Sequence, residues 1–283
     1  MTTRVIVTGT GTPIADPNRA GPGVLITHGE THMQFDTGRA TVMRLAATGV
    51  MLGDLTAVFL THQHSDHVVG LTDLLMTRWL EGSGTGGAPL PVYAPSGMAA
   101  DLAQHILVPW QRELEMRAAH VGYPGKPFAE VHDFEPATKP ERIFSDAGVV
   151  VEASQVRHEP VVGAVGYRIT TPDGIIAISG DTAICDEVKV LAAGADVLVH
   201  EVFNKGALAA DAVSDVDLIA AYHSEPEAVG RLSAEANVKL LMLTHLIPPP
   251  VTADDYADMV SATRAGGFEG ELIVCDDLAT VAF

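Results

Sequence analysis

Two cysteines, Cys185 and Cys275, are all that 283 residues contain, which excludes a disulfide framework. Long apolar runs are missing too. None reaches the roughly 18 residues that a bilayer-spanning helix needs, so no membrane span is expected. Met1-Thr2-Thr3-Arg4-Val5 leads straight into a strand-like run without the pattern of a signal peptide. These absences together point to a cytoplasmic protein. Basic residues are scarce: 17 Lys and Arg stand against 36 Asp and Glu, a formal net charge of −19. Proteins that bind nucleic acid draw much of their affinity from phosphates neutralised by Lys and Arg. A general basic field for steering RNA is therefore excluded, and nucleic acid is not the expected partner. The acidity reads mainly as solubility. Internal repeats and linker-like stretches are also lacking, which favours one domain.

What is present is a large apolar fraction, 47% of residues, ample for a sizeable core. Short apolar runs alternate with helical spacings. Val5-Ile6-Val7, Val24-Leu25-Ile26, Val58-Phe59-Leu60, Val197-Leu198-Val199 and Leu240 to Leu243 read as strands. Ala40 to Ala47, Gly70 to Leu80, Glu225 to Asn237 and Thr252 to Arg264 read as helices. The alternation suits an α/β layered fold. Polar, ligand-type residues recur where the apolar runs stop.

The densest such place is Thr61-His62-Gln63-His64-Ser65-Asp66-His67. His62 and His64 are two apart, so in an extended segment they point the same way and can share an ion. Asp66 and His67 come after the chain starts to turn and can face a second ion. Downstream, His158, Asp181 and His245 each follow a strand-like run. Imidazoles and carboxylates in this number suit zinc with an open coordination position. Two adjacent ions would activate a water and clamp a hydrolytic reaction.

His-x-His-x-Asp-His after a strand resembles the metallo-β-lactamase superfamily, and within it the ribonuclease Z-like branch of metal-dependent hydrolases. The resemblance runs from Gly9-Thr10-Gly11-Thr12-Pro13 to Thr244-His245. It implies an αββα sandwich with a dinuclear site at one edge. It also implies that His62, His64 and His158 hold one ion, that Asp66, His67 and His245 hold the other, and that Asp181 bridges them. The expected cofactor is two Zn2+ per chain, with Mn2+ as the alternative. His rather than Glu at position 64 leans away from the di-iron oxidoreductases of the superfamily. Asp36, in Asp36-Thr37-Gly38, is expected behind the ligand loop as a supporting carboxylate. Beside the ligand Asp66, the catalytic residues carried over are His223, in Tyr222-His223-Ser224, as general acid, and Glu201 as the carboxylate that orients it. His200 reads as structural. His28, His32, His105, His120 and His132 lie in no motif and read as surface or satisfied histidines. The resemblance further implies a homodimer.

The sequence departs from the tRNA-processing members in two places. Those carry a basic Gly- and Pro-rich arm between the first ligand loop and the third histidine, whereas this interval is net acidic. The last ligand is followed here by Leu246-Ile247-Pro248-Pro249-Pro250 in place of their Ser- and Arg-bearing stretch. The leading expectation is thus a dinuclear zinc hydrolase acting on small esters: phosphodiester, sulfate ester, lactone or carboxylic ester. The alternatives are a tRNA 3′-processing endonuclease and a non-catalytic metal-binding protein. Residues 97–146 are read as an inserted helix and loop leaning over the site, with Trp110, Met116, Tyr123 and Phe128 as pocket-wall or core residues.

Overall fold

A computed structural model describes residues 2–81, 88–121, 128–208 and 216–283. The strands of the first sheet are β1 (Thr3–Gly9), β2 (Gly23–His28), β3 (Thr31–Phe35), β4 (Ala57–Phe59), β5 (Leu90–Pro95), β6 (Ala129–Phe134) and, last in the chain, β14 (Thr280–Ala282). The second sheet holds β7 (Glu141–Asp146), β8 (Val149–Gln155), β9 (Val165–Thr170), β10 (Ile175–Ile178), β11 (Val197–Phe203), β12 (Leu240–Ile247) and β13 (Glu271–Val274). Their orders are β14-β1-β2-β3-β4-β5-β6 and β13-β12-β11-β10-β9-β8-β7.

Alternation along each strand sets the layers. On β1, Val5 and Val7 face the second sheet while Ile6 faces the helices. On β12, Met242 faces the first sheet while Leu241 and Leu243 face outward to helices. Both faces of such strands are buried, so they read as unbroken apolar runs. The inter-sheet core includes Met33, Phe35, Phe59, Tyr167, Val199 and Met242. The outer face of the first sheet packs under α1 (Thr41–Thr48), α3 (Gly70–Glu81) and α4 (Met98–His105). The outer face of the second packs under α6 (Asp186–Ala192), α8 (Pro226–Glu235) and α9 (Ala253–Ala265). The short α2 (Ser65–Val68), α5 (Gln111–Val121) and α7 (Val216–Ala220) complete the helices of the described residues. The result is the expected four-layer αββα sandwich. Among the described residues no helix is long and apolar enough to cross a membrane. Cys185 and Cys275 are both free and buried.

Three local readings are corrected. Residues 97–146 are not only helix and loop, because β6 and β7, one edge strand of each sheet, lie within them. Their charged residues, such as Glu130 and Glu141, hide the strand pattern, and charge is a usual guard on an edge strand. The helical spacing from 97 to about 120 is broken by a 3-10 turn at Val108–Trp110, where Pro109 cannot continue a helix. Trp110, Met116 and Phe128 are 46%, 62% and 49% exposed, so none is a core residue. Tyr123 and the Gly82–Gly87 loop fall outside the described residues.

Candidate metal centre

β4 delivers the chain through Leu60 into the ligand loop, and both sheets hold that junction. The Leu60 N–H donates to Tyr93 on β5 (2.9 Å), and its carbonyl accepts from the Tyr167 hydroxyl on β9. Val165 of the second sheet donates to the Thr61 carbonyl at 3.0 Å. Asp36 lies just past β3 with φ of 53° and braces the loop from behind. Its Oδ1 accepts from Thr61 N (2.8 Å); its Oδ2 accepts from Thr61 Oγ1 (2.8 Å) and from His67 Nδ1 (2.7 Å). Two glycines let neighbouring backbone come close: a Cβ on Gly38 would sit 2.5 Å from the Asp66 carbonyl oxygen, and one on Gly21 2.8 Å from it.

These bonds fix the protons on the histidines. The Thr61 hydroxyl gives its hydrogen to Asp36, so it accepts from His62 Nδ1 at 2.9 Å. His158 Nδ1 donates to the Tyr222 carbonyl at 2.9 Å. In His62, His67 and His158 the proton therefore sits on Nδ1, and Nε2 keeps the lone pair that a metal requires.

The Nε2 atoms of His62, His67, His158 and His245 converge on Asp181 Oδ2 at 3.9, 3.3, 3.8 and 3.3 Å. His245 Nε2 is also 3.3 Å from Asp66 Oδ2, and His64 Nδ1 lies 3.2 Å from His158 Nε2. Three groups have ligand-type atoms mutually within 4.8 Å: His62, His64, His158 and Asp181; Asp66, His67 and His245; and Asp181, His223 and His245. All seven sequence-derived ligand candidates are thus brought together. All are buried except His64, which is half-buried. His62 Nε2, His67 Nε2, Asp181 Oδ1 and His245 Nδ1 are buried without a hydrogen-bond partner. Lone pairs on nitrogen and carboxylate oxygen facing one another out of water repel, and a divalent cation relieves that cost. The donor set therefore fits a divalent metal.

Among the protein's own groups the protonation balance is split. Burial lowers the His67 pKa, but the charges of Asp181 and Asp36 and their hydrogen bonds outweigh it and hold His67 well above the usual imidazole value, so a bound cation would displace a proton from its Nε2. Burial, then the charge of His67, holds His62 well below the usual imidazole value, and burial likewise lowers His64 and His158. Burial would raise the Asp181 carboxyl, but His245, His67 and His62 outweigh it and hold Asp181 well below the usual carboxylate range. Asp66 is also lowered, burial being outweighed by its bond to His245.

His223 stands at the rim of this cluster. Its ring centroid is 5.2 Å from that of His158 and 5.6 Å from that of His245. His223 Nδ1 donates to Glu201 Oε1 at 3.1 Å, which leaves Nε2 as the outward group. Glu201 Oε1 also accepts from the backbone of Ser224 (3.0 Å) and Thr182 (3.2 Å), so the carboxylate is itself fixed. Burial lowers the His223 pKa, but the Glu201 charge and hydrogen bond raise it further, to about 9. His200 does not join the cluster. It is fully buried, with Nδ1 donating to the Glu201 carbonyl at 2.6 Å. Of the residues 97–146, Met98 approaches the ligand loop, its sulfur 3.9 Å from Gln63 Nε2.

Sequence reasoning missed Thr61, whose hydroxyl sets the His62 tautomer and whose only signal is its place just before the first histidine. It also missed the Tyr222 carbonyl, for which a sequence carries no signal. His223, expected to contact the scissile phosphate or protonate the leaving oxygen, also lies within reach of a shared ligand position with Asp181 and His245.

Residues 21–246 match the family model of the β-lactamase superfamily domain. The chain is 34% identical to a ribonuclease Z from Mycobacterium bovis over 278 residues, covering 98% of this chain and 97% of that protein. A ribonuclease Z from Mycobacterium marinum is also 34% identical over 278 residues, with the same coverage of both chains. Among solved structures, the metallo-β-lactamase fold protein YhfI from Bacillus subtilis superposes with a TM-score of 0.75 at 22% identity, over 100% of both chains. The short form of human tRNase Z superposes with a TM-score of 0.70 at 22% identity, over 98% of both chains. The clustered histidines and aspartates, the sandwich that carries them and the end-to-end identity lead to one assignment: the chain belongs to the ribonuclease Z family of the β-lactamase superfamily.

Proposed function

We propose that this metal-dependent hydrolase is a ribonuclease that cleaves a phosphodiester bond to remove 3′ extensions from precursor tRNA. The observation that carries the reading is 34% identity to ribonuclease Z over 98% of the chain. That match overturns two expectations: a small-molecule ester as substrate, drawn from the missing basic arm and the prolines after His245, and nucleic acid as an improbable partner, drawn from net charge. Net charge is a sum over the whole surface, and it does not describe the field at a site that holds divalent cations.

His62, His64 and His158 would hold one ion, Asp66, His67 and His245 a second, with Asp181 between them; we infer two ions, of zinc. When bound, such a pair supplies Lewis acidity at the scissile phosphate and lowers the pKa of a bound water. The chain's own groups do the rest. Asp36, Thr61 and the Tyr222 carbonyl keep the ligand nitrogens correctly protonated and aimed. Glu201 fixes His223, whose Nε2 then delivers a proton to the departing ribose oxygen.

The test is cleavage of a 3′-extended precursor tRNA by catalytic amounts of protein, before and after treatment with a chelator. Cleavage that the chelator abolishes and zinc restores is the expected result. No cleavage by protein shown to be metal-loaded would sink the reading.

A further inference from the structure

Asp277 lies between β13 and β14 and contributes nothing to the ligand cluster, yet its side chain is only 6% exposed. Its Oδ1 accepts from Thr10 N (2.9 Å) and Thr10 Oγ1 (2.7 Å); its Oδ2 accepts from Ala20 N (2.6 Å) and Arg44 Nε (2.8 Å). Thr10 and Ala20 are the two ends of the loop that follows β1, and Gly11 N closes it onto the Ala20 carbonyl at 2.8 Å. One carboxylate therefore ties down both ends of that loop.

Each end supports a different ligand. At the first end, the Thr10 carbonyl accepts from Leu246 N (3.1 Å) and the Gly9 carbonyl from Thr244 Oγ1 (3.3 Å). These bonds flank His245. In the pairing of β11 with β12, Thr244 stands opposite Glu201 and Leu246 opposite Val202, so His245 is bulged out of the ladder. Its φ is 44°, a left-handed conformation that a residue with a Cβ keeps only when its neighbours impose it. At the second end, Ala20 leads into Gly21 and Pro22. Gly21 N donates to the Arg39 carbonyl (2.9 Å), Gly38 N to the Pro22 carbonyl (3.0 Å), and Gly21 packs against the Asp66 carbonyl. Asp66 and His245 belong to the same candidate ligand group, with His67. The supports of His62 and His158 are Thr61 and the Tyr222 carbonyl, neither of which bonds to Asp277.

We propose that Asp277 is a positioning residue for one half of the metal centre, holding the backbones of Asp66 and His245 where those side chains can share an ion. The proposal rests on the dinuclear reading above. A carboxylate suits the place because all four partners are donors. An amide there would turn one acceptor into a donor aimed at another donor.

The experiment measures zinc content and zinc release to graded chelator for the parent, Asp277→Asn and Thr10→Val, with thermal unfolding of each. Val151→Ala, in the inter-sheet core, is the control for general destabilisation. The expected result is two ions in the parent, and in Asp277→Asn one ion held as in the parent with the other weakened about 10–100-fold, the usual effect of removing an outer support. Thr10→Val, which keeps the backbone bond, shifts the same ion less and covers the case in which Asp277→Asn does not fold. A parent with two ions and variants that keep both at parental affinity would overturn the proposal alone. So would equal weakening of both ions that merely follows the melting temperature, as in Val151→Ala. A parent that never holds more than one ion overturns the dinuclear reading and the proposal with it.

Discussion

At the scale of single residues, the centre divides into groups that would hold metal and groups that would move a proton. Asp181 is the point on which four imidazoles converge, so Asp181→Ala is expected to lose both bound metal and turnover. Elemental analysis after gel filtration, run beside an activity assay, checks this; full metal content in the variant would refute a bridging role. His223→Ala should instead keep its metal while turnover falls about 10²–10⁴-fold, the usual worth of general acid catalysis. Loss of metal from His223→Ala would mean that the group of Asp181, His223 and His245 binds an ion, and that His223 is a ligand rather than the acid. The candidate ligands themselves were legible, because each ends or follows an apolar run. What readies them to hold an ion was not. Which ring nitrogen carries the proton depends on Thr61, Asp36 and a backbone carbonyl, and only folding brings these together.

At the scale of elements, strands buried on both faces announced themselves, and edge strands did not. β6 and β7 mix apolar with charged residues, and the Pro- and acid-rich stretch around them looked irregular. β11 and β12 run past the points where the sequence reading ended them, so Glu201 and His245 lie inside strands, the latter on a bulge. The starts of β10, β11 and β12 are tied by Asp196, which accepts from Ile175 N (2.8 Å) and Lys239 Nζ (2.6 Å). Burial alone would raise the Asp196 pKa, but the Lys239 and Ile175 bonds lower it below the ordinary value. A carboxylate lowered on folding adds stability above its unfolded pKa of about 3.9, and that stability fades as pH falls through the lower folded value. Asp196→Asn should therefore be less stable than the parent at neutral pH, and the two should converge in acid. Urea unfolding at pH 7 and near pH 3 checks this; a constant gap between the two proteins would refute it. Trp110 on its 3-10 turn is 46% exposed, so Trp110→Ala should change stability by less than about 1 kcal/mol, well below the 3–5 of a buried Trp.

At the scale of the whole molecule, the sandwich followed from the resemblance and from apolar runs that alternate with helices, while the partner was misjudged from net charge. The charge still has consequences. Of 17 Lys and Arg, seven are ion-paired to carboxylates within the described residues: Arg19, Arg44, Arg117, Lys189, Lys205, Arg231 and Lys239. Arg78, Arg168 and Arg264 donate to backbone carbonyls. The six other described cations, Arg4, Arg39, Arg112, Lys139, Arg142 and Arg157, stand against a net charge of −19, so recognition of the proposed RNA substrate is expected to lean more on the metal centre than on a basic field. For single strands the logarithm of affinity falls by about 0.7 per neutralised phosphate for each unit in the logarithm of salt. With only a few phosphates neutralised, the slope of log kcat/KM against log salt for precursor tRNA should be shallower than about −3. The measurement is cleavage under subsaturating substrate from about 50 to 300 mM monovalent salt, a range that resolves such slopes, at fixed zinc. A slope steeper than about −5 would require a broad basic interface, which a chain of net charge −19 is not expected to present, and would refute this prediction.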